Sequence, residues 1–470
     1  MKDLLVMKFG GTSMGSAERI RIAASISAEQ QKKRPVVVVV SAMSKVTDLL
    51  LETLQKAESG NEAKVAANLA ELRKLHTGAG NELLPEKRRA SVLEGVESLV
   101  KEFERIARGV LLLAERPPRS VDEAVAVGER LSALLIASYL ESEGIRAVDV
   151  SGSDVIVTDT VFGNATPIME LTTLKATANL IPLLEAGVLP IVTGFNGATI
   201  AGQPTTLGRG GSDFSASILA AALGASELWI WTDVDGIMSA DPRLVKDAVV
   251  LHEVTYNEAA ELAYNGAKVL HPRTLAPLME KHIPVWSKNS FSLEKPGTKI
   301  VLKTNSLPGP KAVTSMHKVA LVSIEPASAV INGAQIMARA LDALARSNTE
   351  VLTFSSSSYR QSFCFLVRQD ELAAAKASLE ANLALELTHG YLRPLSVDTN
   401  VGLLAVVGEG MQGTPGLAGR IFTAISRERV NIIAISQGSS ELTIAIVVAK
   451  DGLETAVHAV HEECGLARLG

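Results

Sequence analysis

The chain has 470 residues, of which 47% are hydrophobic and 21% charged, and its formal net charge at pH 7 is -5. This length and hydrophobic content suffice for about two to four domains with real cores, and the negative charge argues against nucleic acid or an anionic membrane surface as the main partner. Two cysteines are too few for a disulfide framework or a zinc site, and no signal peptide or membrane-length apolar run is found, so we expect a cytoplasmic protein with a small-molecule ligand.

The first predicted element is a short buried strand at the N-terminus that runs into a glycine turn. It spans residues 5–13 (LVMKFGGTS) and carries Lys8 near its end. A lysine in an apolar strand is costly unless a negative group meets it, and Gly10 and Gly11 allow backbone N–H groups to point at phosphate oxygens. The stretch favours an anion site, although a solvent-facing lysine on an edge strand remains open at this point.

Two common phosphate-binding loops are excluded by their spacing. Gly10 and Gly15 match the glycines of a P-loop, but Ser16 and Ala17 stand where that loop needs lysine and then serine or threonine. A dinucleotide fingerprint also fails, because no G-x-G-x-x-G follows the first strand.

The elements that follow alternate between helix and strand. Helical periodicity covers residues 16–31, and the β-branched run at 35–42 is typical of a strand buried on both faces. Strand, helix and strand in this order predict a parallel sheet with a right-handed crossover. Continued alternation predicts one large α/β domain of roughly 300 residues, with helices at 48–115, 124–140 (Glu129 near a helix start) and 214–223, and strands at 146–150, 155–157, 189–193 and 227–232.

A composition change predicts the end of this domain, because residues 294–299 and 305–310 are rich in turn formers. Beyond them the chain repeats itself at an offset near 82 residues, from 319 to 401. Each copy is predicted as βαββα with a last strand, and two such small units are expected to pack side by side. The paired segments are strands 319–324 and 401–406, helices 338–345 and 417–424, strands 348–352 and 429–433, strands 362–367 and 442–448, and helices 370–379 and 451–458.

A second glycine-rich loop, residues 208–213 (GRGGSD), opens an apolar helix. A loop at a helix N-terminus offers N–H groups and the positive end of the helix dipole to a carboxylate or phosphate. Arg209 adds a bidentate partner for a carboxylate. Ser212 or Asp213 could simply cap the helix, but the glycines and the arginine exceed what a cap requires.

Two further stretches are ambiguous by themselves. Residues 229–236 (WIWTDVDG) put polar groups at the end of a strand, where α/β folds bind ligands. An ordinary turn with solvated aspartates explains them as well. Lys268 lies just before an apolar helical turn, and this position alone does not show whether the lysine binds a ligand.

Taken together, these motifs resemble those of aspartate kinases in the amino-acid kinase family. The C-terminal repeat resembles the paired ACT domains of the same enzymes, so the resemblance covers nearly the whole chain. It implies a kinase domain at 1–305 and ACT domains at 312–392 and 398–470. Seven motifs occur in the family's order: KFGGTS at 8–13, VSAMSKVT at 40–47, GE at 128–129, TLGRGGSD at 206–213, WTDVDG at 231–236, DPR at 241–243 and GAKVLHP at 266–272.

The resemblance implies an α/β fold, in which a three-layer αβα kinase domain with a mainly parallel sheet is followed by two α+β ACT (βαββαβ) domains. The implied reaction phosphorylates the side-chain carboxylate of L-aspartate with ATP and Mg²⁺, giving 4-phospho-L-aspartate and ADP, the first step towards lysine, threonine and methionine. A carboxylate nucleophile is already ionised at neutral pH, so no general base is needed. Catalysis then rests on alignment and on compensation of charge at the transferring phosphoryl group.

The resemblance also assigns roles to residues. Lys8 and Asp213 would be catalytic, Arg209 would hold the α-carboxylate of aspartate and Glu129 its ammonium group. Members of the family often have a tyrosine at the position of Met238, so the contact of this residue with the adenine ring departs from the family pattern. No protein ligand for the metal is predicted. The implied ATP-binding residues are Lys8, Gly10, Gly11, Ser13, Thr232, Asp233, Met238, Arg243 and Lys268, and the implied aspartate-binding residues are Ser41, Thr47, Glu129, Arg209 and Ser212.

The ACT pair implies control by an end-product amino acid, threonine or lysine, bound where two such units pair. The expected assembly is a homodimer formed through these units, with a tetramer also open. Residues 435–441 (ISQGSSE) resemble the effector loop of threonine-responsive relatives, whereas residues 354–359 (FSSSSY) of the first copy lack the glutamine of those relatives. The implied effector residues are Ser355, Asn431, Ile432, Ser436 and Gln437.

Two alternatives stay open. The chain could be another amino-acid kinase acting on glutamate, acetylglutamate or a nucleotide, and among these Arg209 and Glu129 argue for a free α-amino acid. It could also be a non-catalytic amino-acid sensor, against which Lys8, Asp213 and Lys268 argue.

Overall fold

The computed structural model describes residues 3–267, 270–304, 309–327, 332–358 and 362–469. The chain forms two compact units. The first comprises Met1–Gly236, His252–Tyr256 and Leu270–Lys303, and the second comprises Ile237–Leu251, Asn257–Val269 and Thr304–Gly470. Among the described helices, none combines the length and apolar character that crossing a membrane requires.

Strands and helices alternate through the first three hundred residues, as the sequence predicts. In chain order the elements are β1 (Leu5–Phe9), α1 (Ala17–Gln31), β2 (Val36–Val40), α2 (Val46–Glu58), α3 (Glu62–Leu83), α4 (Glu86–Leu113), α5 (Pro118–Ser142), β3 (Ala147–Val150), β4 (Val157–Thr158), α6 (Met169–Glu185), β5 (Leu189–Thr193), β6 (Asn196–Thr199), β7 (Pro204–Thr206), α7 (Gly211–Leu223), β8 (Glu227–Thr232), β9 (Glu253–Thr255), α8 (Tyr256–Tyr264), α9 (Pro272–Lys281), β10 (Val285–Asn289) and β11 (Thr298–Val301).

An eight-stranded sheet runs through the first unit in the order β3-β5-β2-β1-β8-β10-β11-β9. The strand β1 pairs in parallel with β2 on one side and with β8 on the other, and the β10–β11 pair is antiparallel. Every residue of β1 and β2 is buried, which is the pattern of strands covered on both faces. Because the strand order reverses at β1, the carboxyl end of this strand is a topological switch point, where open α/β sheets bind ligands.

Two predictions for this unit were wrong, and one sheet was missed. Glu129 does not start a helix, because α5 begins at Pro118, whose fixed φ suits the first helical turn. Residues 294–299 are not wholly a linker, since Thr298–Val301 forms β11 of the large sheet. A three-stranded sheet of β4, β6 and β7 was not predicted; its strands are only two to four residues long.

The second unit contains two four-stranded sheets, β14-β15-β13-β16 and β12-β17-β19-β18. A cluster of buried apolar residues from both sheets, including Leu321, Leu403 and Val447, joins them. The prediction that the two repeats pack together is therefore confirmed. The elements are β12 (Ala312–Met316), β13 (Val319–Ile324), α10 (Gly333–Arg346), β14 (Thr353–Ser356), β15 (Phe363–Arg368), α11 (Leu372–Asn382), α12 (Ala384–Thr388), β16 (Ser396–Asp398), β17 (Val401–Val407), α13 (Leu417–Arg427), β18 (Ile432–Gln437), β19 (Thr443–Ala449) and α14 (Leu453–Glu463).

The repeat is confirmed in the order of its elements. In the first copy the predicted last strand is β16, which pairs with β13. In the second sheet the equivalent place beside β17 is occupied by β12, which precedes the first copy in the chain. The strand predicted at 348–352 was misplaced, since β14 begins at Thr353.

Candidate active site

Lys8 is buried on a central strand of the sheet and meets a carboxylate from a distant part of the chain. Its Nζ lies 2.5 Å from Oδ1 of Asp213, and the residue as a whole is 8% exposed. Asp213 lies in the first turn of α7, where the helix dipole favours a negative charge. The alternative of a solvent-facing lysine on an edge strand is therefore wrong, and the buried ammonium has the negative partner that its burial demands.

The first glycine turn leaves room beside this lysine. A Cβ atom on Gly10 would lie 3.4 Å from the Lys8 Nζ, and one on Gly11 would lie 3.2 Å from the Ala42 carbonyl oxygen. The Gly10 N–H donates to the Trp231 carbonyl oxygen on β8 at 3.2 Å. Side chains at these two positions would crowd the ammonium group and the neighbouring loop, so glycine keeps the space in front of Lys8 open.

The second glycine loop holds Arg209 between two residues in the left-handed region, Gly208 at φ +75° and Gly210 at φ +70°. Arg209 is exposed. The N-cap of α7 is Gly210, and no side chain caps the helix, so the interpretation of Ser212 or Asp213 as a mere cap is wrong. The Ser212 hydroxyl instead donates to Ser41 Oγ at 3.3 Å, which joins this loop to the end of β2.

Glu129 is a buried carboxyl group in the middle of α5, 2% exposed. Its Oε1 accepts a hydrogen bond from the Ala42 N–H at 3.2 Å, and its Oε2 has no hydrogen-bond partner within the described residues. Burial raises the pKa of this carboxyl to about 8, against the opposing effects of the Ala42 N–H and the Lys8 charge. At neutral pH the group is therefore mostly protonated, although a cation placed beside it would favour the ionised form.

Further predicted site residues lie at the same edge of the sheet. Phe9, Val40 and Trp231 are in register at the carboxyl ends of β1, β2 and β8, so the residues that follow them share this edge. The Thr232 hydroxyl donates to Asp233 Oδ1 at 3.3 Å.

Two serines extend the polar surface there, since Ser13 Oγ lies 2.8 Å from Ser290 Oγ. Thr47 lies in the first turn of α2, after the same loop that carries Ser41. The first unit thus gathers the predicted residues from Lys8 to Asp233.

Three predicted nucleotide-binding residues are not found among those of the first unit. Met238 and Arg243 belong to the second unit. The Arg243 side chain is largely exposed, with Nη2 2.5 Å from Asp241 Oδ2, and Met238 forms a bridge with Val250. Lys268 lies outside the described residues, so its role stays a prediction.

The predicted effector residues lie on the outer strands of the two sheets in the second unit. Ser355 is on β14, whereas Ile432, Ser436 and Gln437 are on β18, directly after Asn431. The strands β14 and β18 are equivalent elements of the two repeats and contact each other. The strands that carry predicted effector residues of the two copies are therefore neighbours.

Two charged residues that the sequence analysis missed hold the loops of the site. Asp122 on α5 is 1% exposed and accepts hydrogen bonds from backbone and hydroxyl groups of the site loops; burial raises its pKa, and these hydrogen bonds oppose the rise. Arg273 on α9 places its guanidinium 4.9 Å from the centre of the Phe214 ring. A signal for Asp122 exists in the sequence, because it precedes Glu129 by seven residues, which puts both carboxyls on one face of a helix.

No cluster of three or more His, Cys, Asp or Glu side chains in the described part of the chain could hold a metal ion. Asp213, the acidic side chain that follows the second glycine loop, is engaged by Lys8. A divalent cation would therefore depend mainly on oxygens that a ligand supplies.

Comparison with known proteins gives two family matches. Residues 3–289 match the amino acid kinase family, and residues 404–464 match an ACT domain. The chain is 34% identical over 470 residues to the bifunctional aspartokinase/homoserine dehydrogenase 1 of Arabidopsis thaliana, covering 98% of this chain and 51% of that protein. It thus spans about half the length of such bifunctional relatives.

Shorter relatives are covered more fully. The chain is 31% identical to aspartokinase 1 of Arabidopsis thaliana, covering 97% of this chain and 79% of that protein. The crystal structure of E. coli aspartokinase III in complex with aspartate and ADP, in its R-state, is similar with a TM-score of 0.84 and 30% identity, over 98% of this chain and 99% of that one. Its T-state complex with lysine and aspartate gives a TM-score of 0.80.

Proposed function

The chain belongs to the amino acid kinase family, and from that premise we propose that it is an aspartate kinase, which transfers the γ-phosphoryl group of ATP to the side-chain carboxylate of L-aspartate. The products are 4-phospho-L-aspartate and ADP. The observation that carries the proposal is the meeting of the two glycine loops at the Lys8–Asp213 ion pair, 2.5 Å across, at the carboxyl end of β1. Relatives named aspartokinase support the same substrate.

Phosphoryl transfer to a carboxylate requires that the protein position the two substrates and compensate their negative charge. The attacking carboxylate is ionised at neutral pH, so the site needs no base to activate it. Lys8 would neutralise charge that develops on the transferring phosphoryl group. Asp213 would hold that ammonium group in place, while Gly10, Gly11 and Ser13 leave space and polar groups for the phosphates.

Aspartate would be bound by groups of complementary charge around that lysine. Arg209 would grip the α-carboxylate and Glu129 the ammonium group. Ser41, Thr47 and Ser212 would complete the pocket, supported by the Ser212–Ser41 hydrogen bond. Acetylglutamate or a nucleotide as the acceptor is less well matched, because a binding group for a carboxylate and one for an ammonium group together suit a free α-amino acid.

Beyond the phosphates, the nucleotide would contact Thr232 and Asp233, while nucleotide contacts of Met238, Arg243 and Lys268 stay predictions. Mg²⁺ would be part of the MgATP substrate, since this ion is commonly bound through substrate phosphates with one or two carboxylates and several waters. Met238 offers a polarisable thioether that can cover an adenine face.

Regulation follows from the second unit. An end-product amino acid, threonine or lysine, would bind beside β14 and β18 at Ser355, Asn431, Ile432, Ser436 and Gln437, within a homodimer formed through ACT domains at 312–392 and 398–470. The contact between β14 and β18 supports one shared effector region, and a relative crystallised with lysine supports an amino acid ligand. The kinase boundary at 305, the cytoplasmic location and any tetramer stay predictions.

The proposal is tested by incubating the chain with MgATP, L-aspartate and hydroxylamine and measuring aspartyl hydroxamate. Lys8→Met should abolish the product. A matched control is Lys288→Met, because Lys288 is a half-buried lysine on β10 whose Nζ bonds to the Pro296 carbonyl oxygen; it should retain activity. Absence of product at saturating substrates would overturn the assignment, and amino acid binding without ATP binding in calorimetry would point to a sensor.

A further inference from the structure

The loop that carries Arg209 is held from two sides by charged side chains, the buried Asp122 and the partly buried Arg273. Its neighbours Gly208 and Gly210 have left-handed backbone conformations, so the loop has a shape that other residues resist. A Cβ atom on Gly208 would lie 2.5 Å from Asn164 Oδ1. The segments 163–165 and 206–208 are thus packed together, and the Ala165 N–H donates to the Thr206 carbonyl oxygen at 2.9 Å.

Asp122 fastens both segments to α5. Its Oδ2 accepts hydrogen bonds from the Gly163 N–H at 2.8 Å and from the Thr206 N–H at 2.9 Å. Its Oδ1 accepts from the Thr206 hydroxyl at 2.8 Å. Three donors on one buried carboxylate leave little freedom to the residues immediately before Gly208, and charged acceptors make such bonds strong.

Arg273 fastens the same two segments to α9. Its guanidinium donates to Asn164 Oδ1, to the Ala165 carbonyl oxygen at 3.3 Å and to the Leu207 carbonyl oxygen at 3.5 Å. It also covers the face of Phe214 in the first helical part of α7. The planar guanidinium of Arg273 therefore links Leu207, two residues before Arg209, with the helix that carries Asp213.

We propose that Asp122 and Arg273 are positioning residues that set the place of the Arg209 guanidinium, and thereby the selectivity for an acceptor with an α-carboxylate. The inference rests on the proposed role of Arg209 in aspartate binding. Neither residue touches the substrate; they act through Thr206, Leu207 and Gly208. Displacement of a binding group by about 1 Å can reduce a rate or affinity by up to about a hundredfold. Loss of either anchor should therefore weaken mainly the binding of the α-carboxylate of aspartate.

The decisive measurement is a double-mutant cycle on the full chain with purified Arg209→Ala, Arg273→Met and the double variant. We expect Arg209→Ala and Arg273→Met each to raise KM for aspartate about tenfold or more, with kcat and the KM for ATP changed less than about threefold. In the Arg209→Ala background, Arg273→Met should add less than about twofold, since residues that act through one group are not additive.

A second readout separates positioning from general damage. β-Alanine lacks the α-carboxylate of aspartate but keeps its ammonium and its reacting carboxylate. As a competitive inhibitor, it should bind the Arg273→Met and Asp122→Asn variants as well as it binds the parent, while aspartate binds them less tightly. Equal losses for both ligands would mean a merely structural role.

Matched variants complete the test. Arg73→Met removes another partly buried arginine of the first unit, one paired with Glu97 and Glu104 on α4, and should leave KM for aspartate unchanged. Arg273→Lys keeps the charge but loses the planar fork, so a KM restored to the parent value would overturn the geometric argument.

The two hypotheses fail differently. If Arg209→Ala leaves KM for aspartate unchanged, the proposed role of Arg209 is wrong. If Arg209→Ala raises that KM but Asp122→Asn and Arg273→Met have no effect or act additively with it, only the positioning inference is wrong. Should Arg273→Met fail to fold by thermal unfolding, Asp122→Asn carries the same cycle.

Discussion

Replacing Glu129 by glutamine should remove a pH dependence that the buried carboxyl imposes on aspartate binding. The pKa of Glu129 is raised from 4.5 to about 8 by burial, so roughly one site in ten holds an ionised Glu129 at pH 7. The ammonium group of aspartate favours the ionised form. Binding at pH 7 must therefore include loss of a proton that costs about 1.4 kcal/mol, a factor of about ten in affinity.

The expected profile follows from this proton. KM for aspartate should fall about tenfold for each pH unit from 6 towards 8 and level off above pH 8, whereas Glu129→Gln should bind aspartate weakly and with no such slope. Initial rates at varied aspartate and saturating MgATP measure the profile. Calorimetry of aspartate binding at pH 7, in buffers of different ionisation enthalpy, should show nearly one proton released.

The same group should lower the stability of the folded chain as pH rises, although it strengthens aspartate binding over the same range. The unfolded chain loses the Glu129 proton near pH 4.5 and the folded chain only near pH 8, so the folded state binds more protons in between and loses stability as pH rises. Glu129→Gln should raise Tm relative to the parent at pH 8 and match it below pH 4.5. A flat KM profile, or an identical slope in Glu129→Gln, would refute the assignment of Glu129 to the ammonium group.

Two further substitutions test the packing of each unit. Gly194→Ala would place a Cβ atom 2.8 Å from Ser212 Cβ, so it should destabilise the chain by about 1–3 kcal/mol and raise KM for aspartate; Gly224→Ala, where φ is +62° and no heavy atom lies within 4 Å, should cost about 1 kcal/mol without changing that KM. In the second unit, Lys311→Met removes the ammonium group that lies 2.9 Å from the buried Glu258 carboxylate, and urea unfolding should show a loss of about 3–5 kcal/mol. Adding Glu258→Gln should recover part of that loss, and no recovery would contradict the electrostatic explanation.

Much of the fold was predictable because its strands are short and nearly uniform in composition. The run VVVVV of β2 admits one interpretation, a strand covered on both faces. The repeat in the second unit was predictable because each copy keeps the same order of strand and helix, which survives changes of individual side chains. One element that could not be placed was β12, since a strand carries no sign of which of two similar sheets it will join.

The site was predictable where backbone chemistry dictates the residue type. The glycine turn at Gly208 is visible in a sequence because few other residues fit its φ of +75° and its contact with Asn164. The anchor Asp122 left only its spacing to Glu129 as a signal, and Arg273 left none, because a charged residue in a helix is usually solvated and only tertiary contacts show otherwise. Glu129 was misplaced within its helix for a related reason: the proline that starts α5 lies eleven residues before it.

Charge balance explains why these buried groups can coexist at one edge of the sheet. Lys8 and Asp213 neutralise each other across 2.5 Å, and Glu129 keeps its proton at neutral pH because the Ala42 N–H and the Lys8 charge do not offset the cost of burying its charge. Arg209 is exposed. In the proposed site, aspartate would supply the opposite charges, an ammonium group for Glu129 and a carboxylate for Arg209, so binding would give both groups a partner. A ligand that carries only one of these charges satisfies only one of them, and selectivity for a free α-amino acid then follows from electrostatics before any contact with the reacting carboxylate is made.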